Sequence, residues 1–115
     1  MLEEPFAIIV EGKNDRSRLR DVIPPEIPII LTFGIPNQDR LERIRKAVRH
    51  HTVIIFTDAD AAGRRIRRIL REAFPDAINV YTKPGYNGVE HTPIDYISER
   101  FKRLGILECE SPYFK

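Results

Sequence analysis

Four short apolar runs, separated by stretches of helical periodicity, restrict this chain to very few folds. The runs are Phe6–Val10, Ile27–Leu31, Val53–Phe56 and Ala77–Tyr81. The first three are rich in β-branched residues and nearly continuous, the pattern of strands covered on both faces. The fourth carries Asn79 and reads as an edge strand, and Pro28 places the second run at an edge or at a strand's start. Apolar residues between and after the runs recur at helical spacing. The sets are Leu19, Val22 and Ile23; Leu41, Ile44, Ala47 and Val48; Ile66, Ile69, Leu70 and Ala73; and Ile94, Ile97, Phe101 and Leu104. Asn14 is placed to cap the first helix and Asn37 the second. Thr92-Pro93-Ile94-Asp95 offers the fourth helix a cap, a proline at its first position and an acid in its first turn, and Gly105 offers it a stop. A strand–helix pair repeated four times predicts an α/β fold: an open, four-stranded parallel sheet with helices on both faces.

At 115 residues the chain reads as a single domain, 1–115, large enough to bury a core. Its 42% apolar and 31% charged content is ordinary for a globular protein, and a net charge of +2 does not by itself announce a polyanionic partner. Cys109 is the only cysteine, which excludes an internal disulfide and a cysteine-based zinc site and fits a reducing, cytoplasmic setting. No apolar stretch approaches the roughly 20 residues that a bilayer crossing needs. Met1-Leu2-Glu3-Glu4 is acidic and lacks the basic start of a signal peptide, so no membrane partner is expected.

Parallel sheets of this kind bind ligands beyond the carboxyl ends of their strands, where the strand order reverses. Three acids fall at such ends. Glu11 closes the first run, and Asp58 and Asp60 follow the third in Thr57-Asp58-Ala59-Asp60-Ala61-Ala62-Gly63. All three converge if the first and third strands are neighbours, which requires the order 2-1-3-4. On a continuing strand Asp58 and Asp60 would share one side while Ala59 faces away. Carboxylates so grouped repel one another unless a cation or a proton intervenes. The pair therefore points to a divalent metal with oxygen ligands, Mg²⁺ above all. Asp60 alone could be a helix cap, but that reading leaves Asp58 without a purpose.

Further candidates surround these acids. Gly12 permits a tight turn, and Lys13 places a positive charge beside it, although an ordinary strand-to-helix turn would use the same residues. Gly63 suits a helix start brought close to a ligand. Arg64, Arg65, Arg67, Arg68 and Arg71 make the third helix strongly basic, which commonly means a solvated face. Arg64 is nearest the Asp pair and is the best candidate for a phosphate contact. The segment from Lys83 to His91 mixes glycines, a cation, an aromatic ring, an acid and an imidazole, and could close on a polynucleotide backbone. His50-His51 reads as the basic end of a helix. No P-loop, G-x-G-x-x-G, H-E-x-x-H or nucleophile elbow is present.

Glu11 after strand one, Asp58-x-Asp60 after strand three and Gly63 just beyond resemble the Toprim domain of topoisomerases, primases and certain nucleases. The likeness runs from about Phe6 to Leu104. Within that superfamily the chain is similar to ribonuclease M5. Val10-Glu11-Gly12-Lys13-Asn14-Asp15 resembles its first motif, Val53–Asp60 with Gly63 its second, and Gly88-Val89-Glu90-His91 a segment specific to it. The resemblance implies a Toprim, Rossmann-like fold and Mg²⁺ (or Mn²⁺) on Asp58 and Asp60. It implies Glu11 as a further ligand or as general acid/base, and Glu90 as another acid at the site. Taken with the reading of the residues themselves, the candidate substrate contacts are Gly12, Lys13, Asp15, Gly63, Arg64, Lys83, Glu90 and His91. RNA is then the favoured partner over DNA. The chain departs from that family in three ways. The family's C-terminal RNA-binding region has no counterpart here. The loop before Gly-Val-Glu-His is shorter and less basic. Thr32-Phe33-Gly34 stands where the family often has Thr-Asn-Gly. These departures put specificity for a 5S rRNA precursor in question and leave room for a protein partner that supplies substrate recognition.

Two functional readings follow. The first is a Mg²⁺-dependent endoribonuclease of the ribonuclease M5 type, with water as the attacking group and a role in rRNA processing. The second is a non-catalytic Toprim module that grips nucleic acid or a partner. A phosphoacceptor receiver domain fits poorly, because it would place an acid pair after the first strand and one Asp after the third.

Overall fold

The computed structural model of the chain describes residues 5–107. The elements run β1 (Phe6–Val10), α1 (Lys13–Arg20), β2 (Ile29–Leu31), α2 (Gln38–Ala47), β3 (Thr52–Phe56), α3 (Ala61–Ala73), β4 (Ile78–Val80) and α4 (Ile94–Arg103). The four strands form one sheet in the order β2-β1-β3-β4, and every pairing is parallel. Ile8 lies between Ile29 on one side and Ile54 on the other, and Ile54 in turn is paired with Ile78.

Strand alternation divides the apolar residues between two cores. Ile8, Val10, Ile54 and Phe56 point to one face, where they meet Leu19 of α1 and Ile97 and Phe101 of α4. Ala7, Ile9, Val53 and Ile55 point to the other, against Leu41 and Ile44 of α2 and Ile66 and Leu70 of α3. The Phe56 and Phe101 rings pack edge to face at 6.0 Å. This division follows from handedness. The crossover from β1 to β2 runs toward one edge and those from β2 to β4 run toward the other, so right-handed connections put α1 opposite α2 and α3. The direction reverses between β1 and β3, and that is where a ligand site is expected.

Several local expectations change. Helix α1 ends at Arg20, and Val22 and Ile23 lie in the turn after it; Ile23 still reaches the core. Asn14 is inside α1. The N-cap is Gly12, and Asp15 reaches back to accept from its N–H. Pro93 is the N-cap of α4 rather than its first residue, and Thr92 turns away to donate its hydroxyl to the Gly88 carbonyl. β4 stops at Val80, which leaves Tyr81 outside the sheet. Asn37 caps α2 as expected, accepting from the Arg40 N–H at 2.8 Å. Gly105, at φ 82, closes α4: its N–H donates to Lys102 and that of Ile106 to Phe101, the paired bonds of a left-handed helix stop. No helix among the described residues is long and apolar enough to cross a membrane. Cys109 lies outside the described residues.

Candidate active site

Glu11 and Asp58 meet at the carboxyl edge because β1 and β3 are direct neighbours. They line one recess of about 290 Å³ together with Gly12, Lys13, Asn14, Asp15, Phe33, Gly34 and Glu90. Four acids from three parts of the chain thus share one small space. Electrostatics register the crowding. Burial pushes the Glu11 carboxyl above its usual range, and the charges of Asp58 and Asp60 push it further. Asp15 is pushed up to about 6, first by burial and next by Asp58, with Glu11 and Glu90 adding to the shift and the Gly12 N–H opposing it.

Asp58 and Asp60 do not behave as a matched pair. The strand ends at Phe56, so strand alternation no longer governs them. Asp58 Oδ1 accepts from the Val89 N–H at 2.8 Å, which ties the loop after β4 to the site. The neighbouring Ala59 N–H donates to the Asn87 carbonyl at 2.6 Å. Asp60 instead caps α3, its Oδ1 accepting from the Gly63 N–H at 2.7 Å. It lies outside the recess and acts on Glu11 through its charge. Gly63 is needed for a different reason than proximity to a ligand. A Cβ there would overlap the Asp58 carbonyl oxygen and stand 2.6 Å from its carbon. The glycine lets α3 start against the turn that holds Asp58.

The basic helix divides into two kinds of arginine. Arg67 is 7% exposed. Its guanidinium donates to the carbonyls of Ile55, Thr57 and Val80 and to Asn79 Oδ1, joining the ends of β3 and β4. Burial draws its pKa below the ordinary value. Arg67 is therefore structural, although the sequence placed it in a uniform basic run. Arg64 donates to the Ala59 carbonyl and, with Arg68 and Arg71, lines a cleft of about 610 Å³ that also contains Thr57, Asp58, Tyr81 and Thr82. Asp58 is common to this cleft and the acid recess, so positive and negative walls adjoin.

Of the sequence-derived candidates, Glu11, Gly12, Lys13, Asp15, Asp58 and Glu90 come together in the recess, and Arg64 lines the adjoining cleft. Lys83 and His91 line neither. They are exposed on the loop after β4, with the Lys83 ammonium 5.9 Å from the Tyr96 ring and the His91 N–H on the Gly88 carbonyl. Phe33, which lines the recess at φ 58, and Val89, whose amide anchors Asp58, are not among the site candidates that the sequence offers. The only signal for Phe33 was an aromatic in a Thr-x-Gly turn directly after a strand. A larger cavity of about 680 Å³ lies at the amino edge, beside Val48, His51 and Ala77, and holds none of these acids.

Among the described residues no three acid or imidazole groups stand close enough to hold an ion as they are. The donors still suit Mg²⁺, which keeps several of its waters and binds through one or two carboxylates, with phosphate oxygens completing its shell. Mutually repelling, partly buried acids at one edge are the donor set that such an ion would relieve.

Comparison with known proteins agrees with this fold. The Toprim domain family model matches residues 6–87. A solved structure of a small TOPRIM domain protein from Bacillus stearothermophilus is similar with a TM-score of 0.80 and 30% identity, over 90% of this chain and 88% of that one. The uncharacterized protein YusF of Bacillus subtilis is 30% identical over 86% of this chain and 68% of its own length. Ribonuclease M5 of Fusobacterium nucleatum is 35% identical over 79% of this chain and 54% of its own length. That of Mycoplasma capricolum is 33% identical over 94% and 56%. The chain thus spans little more than half of these ribonucleases.

Proposed function

The chain belongs to the Toprim domain family, and we propose that it is a metal-dependent endonuclease of the ribonuclease M5 type that hydrolyses phosphodiester bonds in RNA. The observation that carries this reading is the meeting of Glu11 and Asp58 in one acid recess whose neighbouring wall is lined by arginines. A phosphodiester needs both: cations for its backbone and acids that hold the metal and move protons. RNA is preferred to DNA because named relatives covering most of this chain are ribonucleases.

Asp58 and Asp60 would hold Mg²⁺ or Mn²⁺, with Glu11 as a third ligand or as the general acid/base. When bound, such an ion would polarise the scissile phosphate and stabilise the leaving oxygen. The protein's own groups do the rest. Glu11 keeps its proton to higher pH than an ordinary carboxylate, which suits a group that takes a proton from water and returns one to the leaving oxygen. Asp15 holds the Gly12 turn and keeps the start of α1 in place beside Glu11. Arg64 and Arg68 neutralise phosphates on the side of Asp58 away from Glu11. The Val89 amide fixes the orientation of Asp58.

One observation favours a second reading, a nucleic-acid-binding module without catalysis: the arginine-lined cleft beside Asp58 can grip a phosphate backbone with no catalytic step. A cleavage screen over structured RNAs and DNAs, with Mg²⁺, Mn²⁺ or EDTA, separates the two. The enzyme reading expects metal-dependent cleavage that Glu11→Gln removes while most affinity remains. If no substrate is cut under any metal condition, the binding module is the correct reading.

A further inference from the structure

We propose that the segments after the two outer strands are aromatic platforms for the bases of a single-stranded polynucleotide, with Phe33 and Tyr81 stacking nucleotides on either side of the acid recess. The proposal rests on the reading of that recess as a phosphodiester site and specifies the kind of strand it takes.

Among the described residues the exposed large hydrophobic side chains are Phe33, Ile35, Tyr81 and Tyr86. They are not scattered. Phe33 and Ile35 follow β2, and Tyr81 and Tyr86 follow β4, all at the carboxyl edge. β2 and β4 are the outer strands, and β1 and β3, which lead into Glu11 and Asp58, lie between them. With adjacent strands ~4.8 Å apart, three steps separate the platforms by ~14 Å, a reach that a few unstacked nucleotides can cover.

Each ring is paired with an arginine. The Arg40 guanidinium lies 4.8 Å from the Phe33 centroid and that of Arg67 lies 4.1 Å from the Tyr81 centroid, yet both aromatic residues remain 57% exposed. The cation sets the tilt of the ring without covering it. The cavities beside the rings also match. Arg40, Arg43 and Thr32 line one of about 340 Å³ at Phe33, and Arg64, Arg68, Arg71 and Thr57 line the cleft at Tyr81. Thr32 and Thr57 are each 1% exposed, and neither hydroxyl has a hydrogen-bond partner among the described residues. Both hydroxyls are closed to solvent, so the arginines are the groups that would meet a backbone phosphate in these cavities.

Backbone strain points the same way. Phe33 sits at φ 58, a left-handed conformation that bulky side chains rarely adopt, and its N–H donates to the Glu11 carbonyl at 2.8 Å. Asn or Gly would take that backbone more readily, and an exposed ring gains little from packing. A strained position that presents an aromatic ring beside a catalytic acid is best explained by what the ring touches. Rings alternating with arginines suit a single strand, whose bases are free to stack. In a duplex the bases are already stacked on one another. A second copy of this chain is a poor occupant, since its arginines would face these arginines.

Fluorescence anisotropy with a labelled single-stranded RNA decamer in EDTA tests the proposal, because it reads binding without metal or turnover. The same decamer made wholly abasic and the matching duplex are the comparison probes. Phe33→Asn is the chosen variant because Asn tolerates the backbone at φ 58. We expect it to weaken decamer binding by roughly 5- to 100-fold and abasic binding by less than ~2-fold, with Tyr81→Ser behaving likewise. Equal losses on both strands would overturn the stacking. So would a duplex that binds more tightly than the single strand and ignores Phe33→Asn. A wild-type dimer that Phe33→Asn dissociates in sedimentation would give the platforms to a second copy and overturn the proposal as well. Stacking without cleavage of any substrate would support the platforms and refute the enzyme. Metal-dependent cleavage of duplex RNA that Phe33→Asn leaves intact would do the opposite.

Discussion

Replacing Asp15 by Asn removes a charge from the acid recess while keeping an acceptor for the Gly12 N–H, which Asp15 Oδ2 now receives at 3.1 Å. Asp15 is 8% exposed and its carboxyl is pushed up from 3.8 to about 6. Below pH 3.8 the group is protonated in folded and unfolded chains alike and carries no electrostatic penalty. Between these two values the unfolded chain releases its proton and the folded one retains it, so stability falls as pH rises, and the loss is complete above about pH 6. Two pKa units correspond to about 3 kcal/mol as a ceiling, and local relaxation and counterions should leave roughly 1–2 kcal/mol. For a domain of this size that is roughly 5–15 °C in Tm. Thermal melts followed by circular dichroism in EDTA at pH 4, 6 and 8 should find Asp15→Asn more stable than wild type at pH 8, with the gap nearly closed at pH 4. Mg²⁺ at pH 8 should narrow the gap again, by giving the wild-type acids a counterion. Equal melting temperatures at pH 8, or a gap that widens on acidification, would refute the idea that burial, reinforced by the other acids, penalises the Asp15 charge.

Gly63→Ala should destabilise by about 3 kcal/mol or more in urea unfolding, despite a helix-propensity gain of ~1 kcal/mol, because its methyl meets the Asp58 carbonyl; a neutral result would contradict the close approach. Arg67→Ala should lose about 2–4 kcal/mol by leaving buried carbonyls unpaired, while Arg68→Ala should stay within about 0.5 kcal/mol and instead reduce the salt slope of nucleic-acid binding by about one phosphate contact. If the two variants unfold at the same urea concentration, the distinction between them is wrong. Millimolar Mg²⁺ or Mn²⁺ should raise the melting temperature, and Asp58→Asn combined with Asp60→Asn should abolish the gain, while the amide introduced at the second position keeps an oxygen that can cap α3. An identical metal response in the double variant would make both residues purely structural.

The strand order 2-1-3-4 was legible because an acid after β1 and acids after β3 make sense only if those strands adjoin, with β2 outside β1 and β4 outside β3; right-handed crossovers then fix the faces that the helices cover. The acid recess followed from the same step. What the sequence hid is local. The alternation argument for Asp58 and Asp60 assumed a strand that continues, and β3 stops two residues short of Asp58. Arg67 looked like its neighbours because a run of arginines masks helical phase. Its place in the stripe Gly63, Ile66, Arg67, Leu70 marks it as inward, and Asn79, an odd residue for a strand, is its partner. Two polar anomalies thus account for each other, though neither reveals the other alone. Phe33 could not be read from periodicity at all, since a left-handed turn depends on how β2 leaves the sheet beside Glu11.

The central pairing of β1 with β3 has a kinetic consequence. Ile8 must find Ile54 across a loop that already contains α1, β2 and α2, so the core of the sheet closes through its most distant contact. Such contacts form late, because chain entropy opposes them until the intervening elements are in place. This same contact carries Glu11 toward Asp58, so the final zippering of the sheet proceeds against the repulsion of its own acids. A chain in this position has a folding barrier that charge raises and a divalent cation lowers, if the acids are already close at the transition state. If they meet only afterward, the cation leaves the folding rate alone and slows unfolding. Only in the second case would a bound ion also set how long the folded protein lasts.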